Sequence, residues 1–229
     1  MRVDGILFDK DGTLFDFGTT WNTWTAEMIP KLAEGDMAVA RRLADELDFD
    51  LDAGEFLPHS IIIAGTNRDA AEAIVRAMPH KNLTEVENAL MYSAAEAPLS
   101  PAVPLEPFLR NLGEHGLRLG VMTNDTEYSA RAHLSGAGVD TLFDLILGFD
   151  SGHGAKPDPE PLLAFSNQFA LDPTRVAMVG DSTHDLVAGR RAGMQTIAVL
   201  TGVAGEEELT PYADVVFPNI GYIADWLKS

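Results

Sequence analysis

Apolar residues along this chain come in two kinds of run. Short, nearly continuous runs stand at Val3 to Phe8, Arg118 to Met122, Leu145 to Leu147, Val176 to Val179, Thr196 to Val199 and Val215 to Phe217. Runs this brief, bounded by Gly, Asp or Asn, predict buried strands. Between them apolar residues recur every three to four positions, which predicts helices at Glu106 to His115, Thr126 to Ser135, Pro161 to Phe169 and Ser182 to Arg191. Strands alternating with helices of this length imply right-handed crossovers and a parallel sheet. The strand at Val3 must join that sheet, because alone it would leave its backbone groups unpaired.

From Trp21 to about Ala97 the pattern changes, and strand-like runs nearly vanish. Trp24, Met28 and Leu32, then Val39, Leu43 and Leu47, keep a helical period, as do Ala70, Ile74, Val75 and Met78, and Val86 with Leu90. Each stripe needs a partner face to bury it. The stretch Pro98 to Pro104 holds three prolines and cannot continue a helix, so the chain returns there to the alternating region. The expected organisation is a Rossmann-like α/β parallel-sheet core formed by residues 1–15 and 101–229, with a helical insert at 16–100.

The 229 residues, 46% of them apolar, suffice for one α/β domain plus an accessory piece. A formal charge of −19 opposes nucleic acid and anionic lipid, so any phosphate site must be a local exception. With no Cys, disulfides, thiolate nucleophiles and cysteine metal clusters are excluded, and any metal must be oxygen-bound. The start has no secretory pattern, and no stretch approaches the roughly 18 apolar residues of a spanning helix. A cytoplasmic protein is expected, monomer or homodimer, with no nucleic-acid or membrane partner.

Four of the strand ends carry chemistry. Asp9-Lys10-Asp11-Gly12-Thr13 follows the first strand, Thr123-Asn124 the second, Lys156-Pro157 stands in a Gly- and Pro-rich loop, and Gly180-Asp181 with Asp185 closes a later strand. In a parallel α/β sheet such ends converge on one edge. Singly, each has a structural reading: Asp-Gly is a turn, Thr-Asn an N-cap, Asp185 a dipole partner and Lys156 a surface charge. Together they describe a phosphate and metal site. In an extended chain Asp9 and Asp11 point one way and Lys10 the other. Two carboxylates in one pocket divide their duties, one staying ionised and one holding a proton longer.

An ionised Asp9 can attack phosphorus, and Asp11 can protonate the departing alkoxide and then deprotonate water. Asp9 and Asp181 offer hard oxygen ligands suited to Mg²⁺. Lys156 and the Thr123 region would offset charge on the phosphoryl oxygens. Gly12 permits a sharp departure and Thr13 offers a hydroxyl; both are placed with Thr123, Asn124 and Lys156 among the phosphate-binding residues. The insert would cover the crevice.

The order Asp-x-Asp-Gly-Thr, Thr-Asn, Lys-Pro and Gly-Asp-Ser-x-x-Asp resembles the haloacid dehalogenase superfamily over essentially the whole chain. The resemblance implies that Asp9 is the phosphorylated nucleophile and Asp11 the acid and base. It also implies that Thr123 and Lys156 bind phosphate, that Asp181 is a Mg²⁺ ligand and that Asp185 supports it. The metal would further take the main-chain carbonyl of Asp11. The insert looks like that family's first-position helical cap, and the layout is most similar to phosphoglycolate phosphatases. A small phosphorylated acid as substrate calls for a cap cation, with Arg68, His59 and Lys31 as candidates by position. His184 and His153 are expected on a helix surface and a loop, and Lys10 turned away from the pocket.

Two other functions stay open on these residues. A sugar-phosphate mutase shares every core motif and differs in the cap. A receiver-like phospho-acceptor module shares the Asp-lined sheet, but needs neither the large insert nor a second Asp two places after the acceptor. Dehalogenation gives Asp11 nothing to protonate, and phosphonate cleavage through Lys31 or Lys81 has little motivation.

Overall fold

The computed structural model describes residues 2–228. Strand β1 (Gly5–Phe8) leads into a π-helical turn (Gly18–Asn22) and the helices α1 (Thr23–Ala33) and α2 (Met37–Leu47). The two-residue strands β2 (Phe49–Asp50) and β3 (Glu55–Phe56) follow, then α3 (Asn67–Ala77) and α4 (Leu83–Ala94). The alternating region runs α5 (Leu105–Glu114), β4 (Arg118–Met122), α6 (Glu127–Gly136), β5 (Leu145–Leu147) and α7 (Glu160–Gln168). It continues as β6 (Val176–Gly180), α8 (Thr183–Arg191), β7 (Gln195–Val199), α9 (Glu206–Leu209), β8 (Val215–Phe217) and α10 (Ile223–Trp226). Each expected strand and helix of this region is present, within about two residues of its expected ends.

The six long-range strands form one parallel sheet in the order β5-β4-β1-β6-β7-β8. From β1 the chain builds outward through β4 and β5, then returns to the other side of β1 for β6, β7 and β8. The order therefore reverses around β1, and a crevice opens at the carboxyl ends of β4, β1 and β6. Successive side chains on a strand serve opposite faces. Ile6 and Phe8 join the cluster with Leu109 and Leu112 of α5, Leu134 of α6 and Ile223 of α10. Leu7 lies on the other face with Phe165 of α7 and Ala188 of α8. With both faces covered, β1 is buried at every position.

The insert has an apolar cluster of its own. Ile29, Leu43, Leu47, Ile74, Val86 and Leu90 meet there, so each helical stripe seen in the sequence finds its partner face. Trp24, Leu32, Val39 and Val75 are only partly covered at its margin. The small hairpin of the insert was not expected: β2 and β3 pair antiparallel, Phe49 opposite Phe56, and bring the two rings within 5.1 Å. The two chain segments joining insert and sheet run side by side. Phe15 bridges Pro101, Asp16 N–H donates to Ser100 (2.8 Å) and Ala102 N–H donates to Leu14 (2.9 Å).

Candidate active site

The chain turns sharply as it leaves β1. The Lys10 carbonyl accepts from Leu14 N–H (2.9 Å) and Phe15 N–H (3.1 Å), closing a tight loop over residues 10–15. Gly12 in that loop has φ +77°, and a Cβ there would lie 2.2 Å from Asp181 Oδ2. Only glycine fits both the left-handed backbone and the approach of that carboxylate. Thr13 donates to Asp181 Oδ1 at 3.2 Å. The β1 turn and the β6 end are thus locked together at Asp181.

Lys156 is the hub of the site. Its Nζ donates to Asp9 Oδ1 and to Asp185 Oδ1, both at 2.6 Å, and all three side chains are buried. The second Asp185 oxygen accepts from Ser182 N–H (3.0 Å) and Ser182 Oγ (2.6 Å), which closes a capping box at the start of α8. Asp185 therefore has both oxygens engaged, and acts on the site by holding Lys156. Asn124 holds the Lys156 loop from the other side: its Oδ1 accepts from Lys156 N–H and its Nδ2 donates to Lys156 O, both at 2.9 Å. The same Nδ2 donates to Ala64 O of the insert at 2.8 Å. The Asn124 side chain, expected to meet phosphate, is thus spent on positioning Lys156 and tying the insert to the sheet edge.

The electrostatics follow from burial. Removal from water pushes the Asp9 carboxyl up to about 7, against the pull of Lys156 and with added repulsion from Asp185 and Asp11. Burial, then Asp9 and Asp185, likewise hold Asp181 well above the carboxylate range. Burial works against the Lys156 charge, but Asp185 and Asp9 outweigh it and raise that group above its ordinary value. One ammonium does not satisfy this many buried carboxylates. Oxygens of Asp9, Asp181 and Asp185 lie within 4.8 Å of one another. An all-oxygen set with surplus negative charge fits a hard divalent cation such as Mg²⁺. The Asp11 side chain, expected among the metal-binding residues, lies outside that group.

Asp11 is held from behind. Lys10 is fully buried and its Nζ reaches both Asp11 oxygens (2.8 and 2.7 Å) and Asp125 Oδ2 (3.2 Å). Burial opposes the Lys10 charge, yet Asp11 and Asp125 raise its pKa above the usual value. Lys10 does not line the crevice, as the strand alternation implied. It is nevertheless no bystander, since it grips the neighbouring acid.

The crevice is lined by Asp9, Asp11, Thr123, Lys156, Asp181 and Asp185 from the sheet edge. His184 also lines it, where the sequence pointed to a helix surface. His153 sits exposed in its loop, as expected. None of the three cationic candidates of the insert reaches the crevice. Lys31 pairs with Glu27, Arg68 with Glu72 and Glu87, and His59 with Asp48. Two residues beside the Gly12 turn and Asp181 escaped the sequence reading. Thr201 donates to Gly12 O at 2.6 Å, and a Cβ on Gly202 would lie 1.7 Å from Asp181 Oδ2. The signal was available: Thr201-Gly202 follows the apolar run of β7 as the other site segments follow theirs.

Residues 3–193 match the model of the haloacid dehalogenase-like hydrolase family. The chain belongs to this family. Among relatives of this hydrolase, the phosphoglycolate phosphatase of Rhodospirillum rubrum is 31% identical, over 97% of this chain and 90% of that protein. The pyrophosphatase PpaX of Bacillus velezensis is 27% identical, over 92% of this chain and 89% of that protein. The crystal structure of a haloacid dehalogenase-like hydrolase from Bacteroides fragilis superposes with a TM-score of 0.74 at 20% identity, covering 97% of this hydrolase and all of that chain. That likeness concerns the fold alone.

Proposed function

We propose that this hydrolase is a Mg²⁺-dependent phosphatase of small phosphate monoesters that works through a phosphorylated Asp9. The observation that carries this reading is the Lys156 ammonium bound to both Asp9 and Asp185 at the mouth of β1 and β6. A buried lysine there orients one Asp9 oxygen and leaves the other free to approach phosphorus. Thr123, buried at the end of β4, and Lys156 lie where phosphoryl oxygens would bear charge.

In the first step an Asp9 oxygen bonds to phosphorus as the bond to the ester oxygen breaks, and Asp11 gives its proton to that oxygen. In the second step water bonds to phosphorus, its proton passes to Asp11, and the bond to Asp9 breaks. Asp9 and Asp11 end as they began. Lys10 keeps the Asp11 carboxyl aligned between the two transfers. Asp9 and Asp181, with the main-chain carbonyl of Asp11, would hold Mg²⁺, which when bound supplies the positive charge that the carboxylates and the phosphate jointly require. The insert, residues 16–100, serves as a cap that excludes water during the first transfer.

The test is turnover. Purified protein with Mg²⁺ should release many equivalents of phosphate from p-nitrophenyl phosphate, and EDTA should stop the release until Mg²⁺ is restored. At most one equivalent released per chain would contradict the reading and favour a phospho-acceptor module.

A further inference from the structure

The insert side of the crevice has a chemical character of its own. It is formed mainly by Phe17, Trp21, Trp24, Ile63, Leu90 and Ala94. Trp21 and Trp24 meet edge to face at 5.4 Å, and the Trp24 indole N–H is anchored on Ser93 Oγ at 3.0 Å. The Trp21 ring is also backed by the Lys10 ammonium at 5.4 Å. These contacts fix two large aromatic walls opposite the carboxylates.

The polar side chains of Thr66 and Asn67 on that wall each hold a partner within the insert. The Thr66 hydroxyl accepts from Asp69 N–H and donates to the Asp69 carboxylate in the capping box of α3, and Asn67 Nδ2 donates to Glu87 O at 3.0 Å. No basic side chain of the insert lines the crevice. On the sheet side the carboxylates of Asp9, Asp181 and Asp185 share the one lining ammonium, Lys156, while Asp11 and Asp125 are paired with Lys10 behind them. A leaving group that brought a further anion would find no cation on the insert. It would also shed its hydration against an apolar wall with no polar partner of opposite charge there.

We infer that this wall is a leaving-group subsite for neutral, apolar alcohols, so that the preferred substrates are aryl- or alkyl-rich phosphate monoesters and carboxylate- or phosphate-bearing leaving groups are rejected. The inference rests on the phosphatase reading above and adds the substrate class. It separates this hydrolase from relatives named for phosphoglycolate and pyrophosphate, in which the leaving group carries a charge.

The experiment compares kcat/KM for benzyl phosphate and phosphoglycolate with one preparation of the Mg²⁺-loaded enzyme, with p-nitrophenyl phosphate as the activated control. Both test esters release alkoxides, and the ratio does not depend on the fraction of active enzyme. Benzyl phosphate should be preferred by about tenfold or more, the scale on which an apolar pocket discriminates. Trp24→Ala and Ile63→Arg should each lower the preference, the second by raising kcat/KM for phosphoglycolate. Turnover of p-nitrophenyl phosphate with phosphoglycolate equal to or better than benzyl phosphate would overturn the subsite and leave the phosphatase reading standing. A ratio unmoved by both substitutions would likewise overturn it. Failure to turn over p-nitrophenyl phosphate would overturn both.

Discussion

Lys10 Nζ lies 2.9 Å from Nδ1 of His133, a residue of α6 that is 123 positions further along the chain. The ammonium donates, so Nδ1 must be the bare nitrogen and Nε2 must carry the proton, which it gives to Ala94 O at 2.7 Å. Ala94 ends α4 of the insert. A continuous run of polar contacts therefore joins the insert, through His133 and Lys10, to Asp11.

The ring is neutral by necessity. Burial, and then the adjoining Lys10 charge, depress its pKa to about 4, against the opposing pull of Asp11 and the Ala94 carbonyl. An unfolded His binds its proton near 6.5, so between about 6.5 and 4 the unfolded chain holds more protons than the native one. The stabilisation from a neutral His133 is complete above pH 6.5 and disappears as pH falls through 4. His133→Gln keeps an acceptor for Lys10 and a donor for Ala94 but cannot titrate. The gap in Tm between wild type and His133→Gln should shift in favour of the variant as pH drops from 7 to 4. A gap that stays constant across that range would mean that His133 does not titrate as described.

Lys10→Met would leave Asp11 and Asp125 largely buried without their counter-charge. Removing one partner of a buried ion pair typically destabilises by about 3–5 kcal/mol. Chemical denaturation at pH 7.5 should find a loss of that order. A loss under about 1 kcal/mol, the scale of a surface pair, would show that Lys10 contributes no more than an exposed charge.

Asp11→Asn removes the proton donor and leaves Asp9 and Lys156 in place. Alkyl phosphates need a proton on the departing oxygen, and p-nitrophenolate hardly does. The kcat for alkyl esters should fall by about 10²–10⁴-fold, and the formation of the phosphorylated enzyme from p-nitrophenyl phosphate, followed as a burst, should fall much less. Equal losses for both would remove Asp11 from the role of acid.

Much of this architecture could be read from the sequence because its strands are buried on both faces. A strand such as Val176–Gly180 then appears as an unbroken apolar run with a sharp end, and Asp181 follows directly. The hairpin of Phe49–Asp50 and Glu55–Phe56 was not legible, since two residues are too few to display a period. The direction of Lys10 followed from strand alternation, but its partners did not. Asp125 is brought to it by the pairing of β4 with β1, and His133 by the packing of α6 on that face of the sheet, which no local pattern encodes. The apolar wall was hidden for a related reason. Trp24 and Leu90 belong to helical stripes that read as core, and the same side chains also border the crevice. Ile62 to Ala64 lie in a loop where periodicity says nothing.

Covalent capture of the phosphoryl group decides whether Asp9 is the nucleophile. The enzyme is mixed with Mg²⁺ and p-nitrophenyl phosphate, quenched in acid within the first turnovers, and its peptides are mapped by mass spectrometry. A phosphoryl adduct should fall on Asp9, accumulate further in Asp11→Asn, and be absent from Asp9→Asn, which should fold normally and show no turnover. An adduct on another residue, or turnover near the wild-type rate in Asp9→Asn, would contradict it.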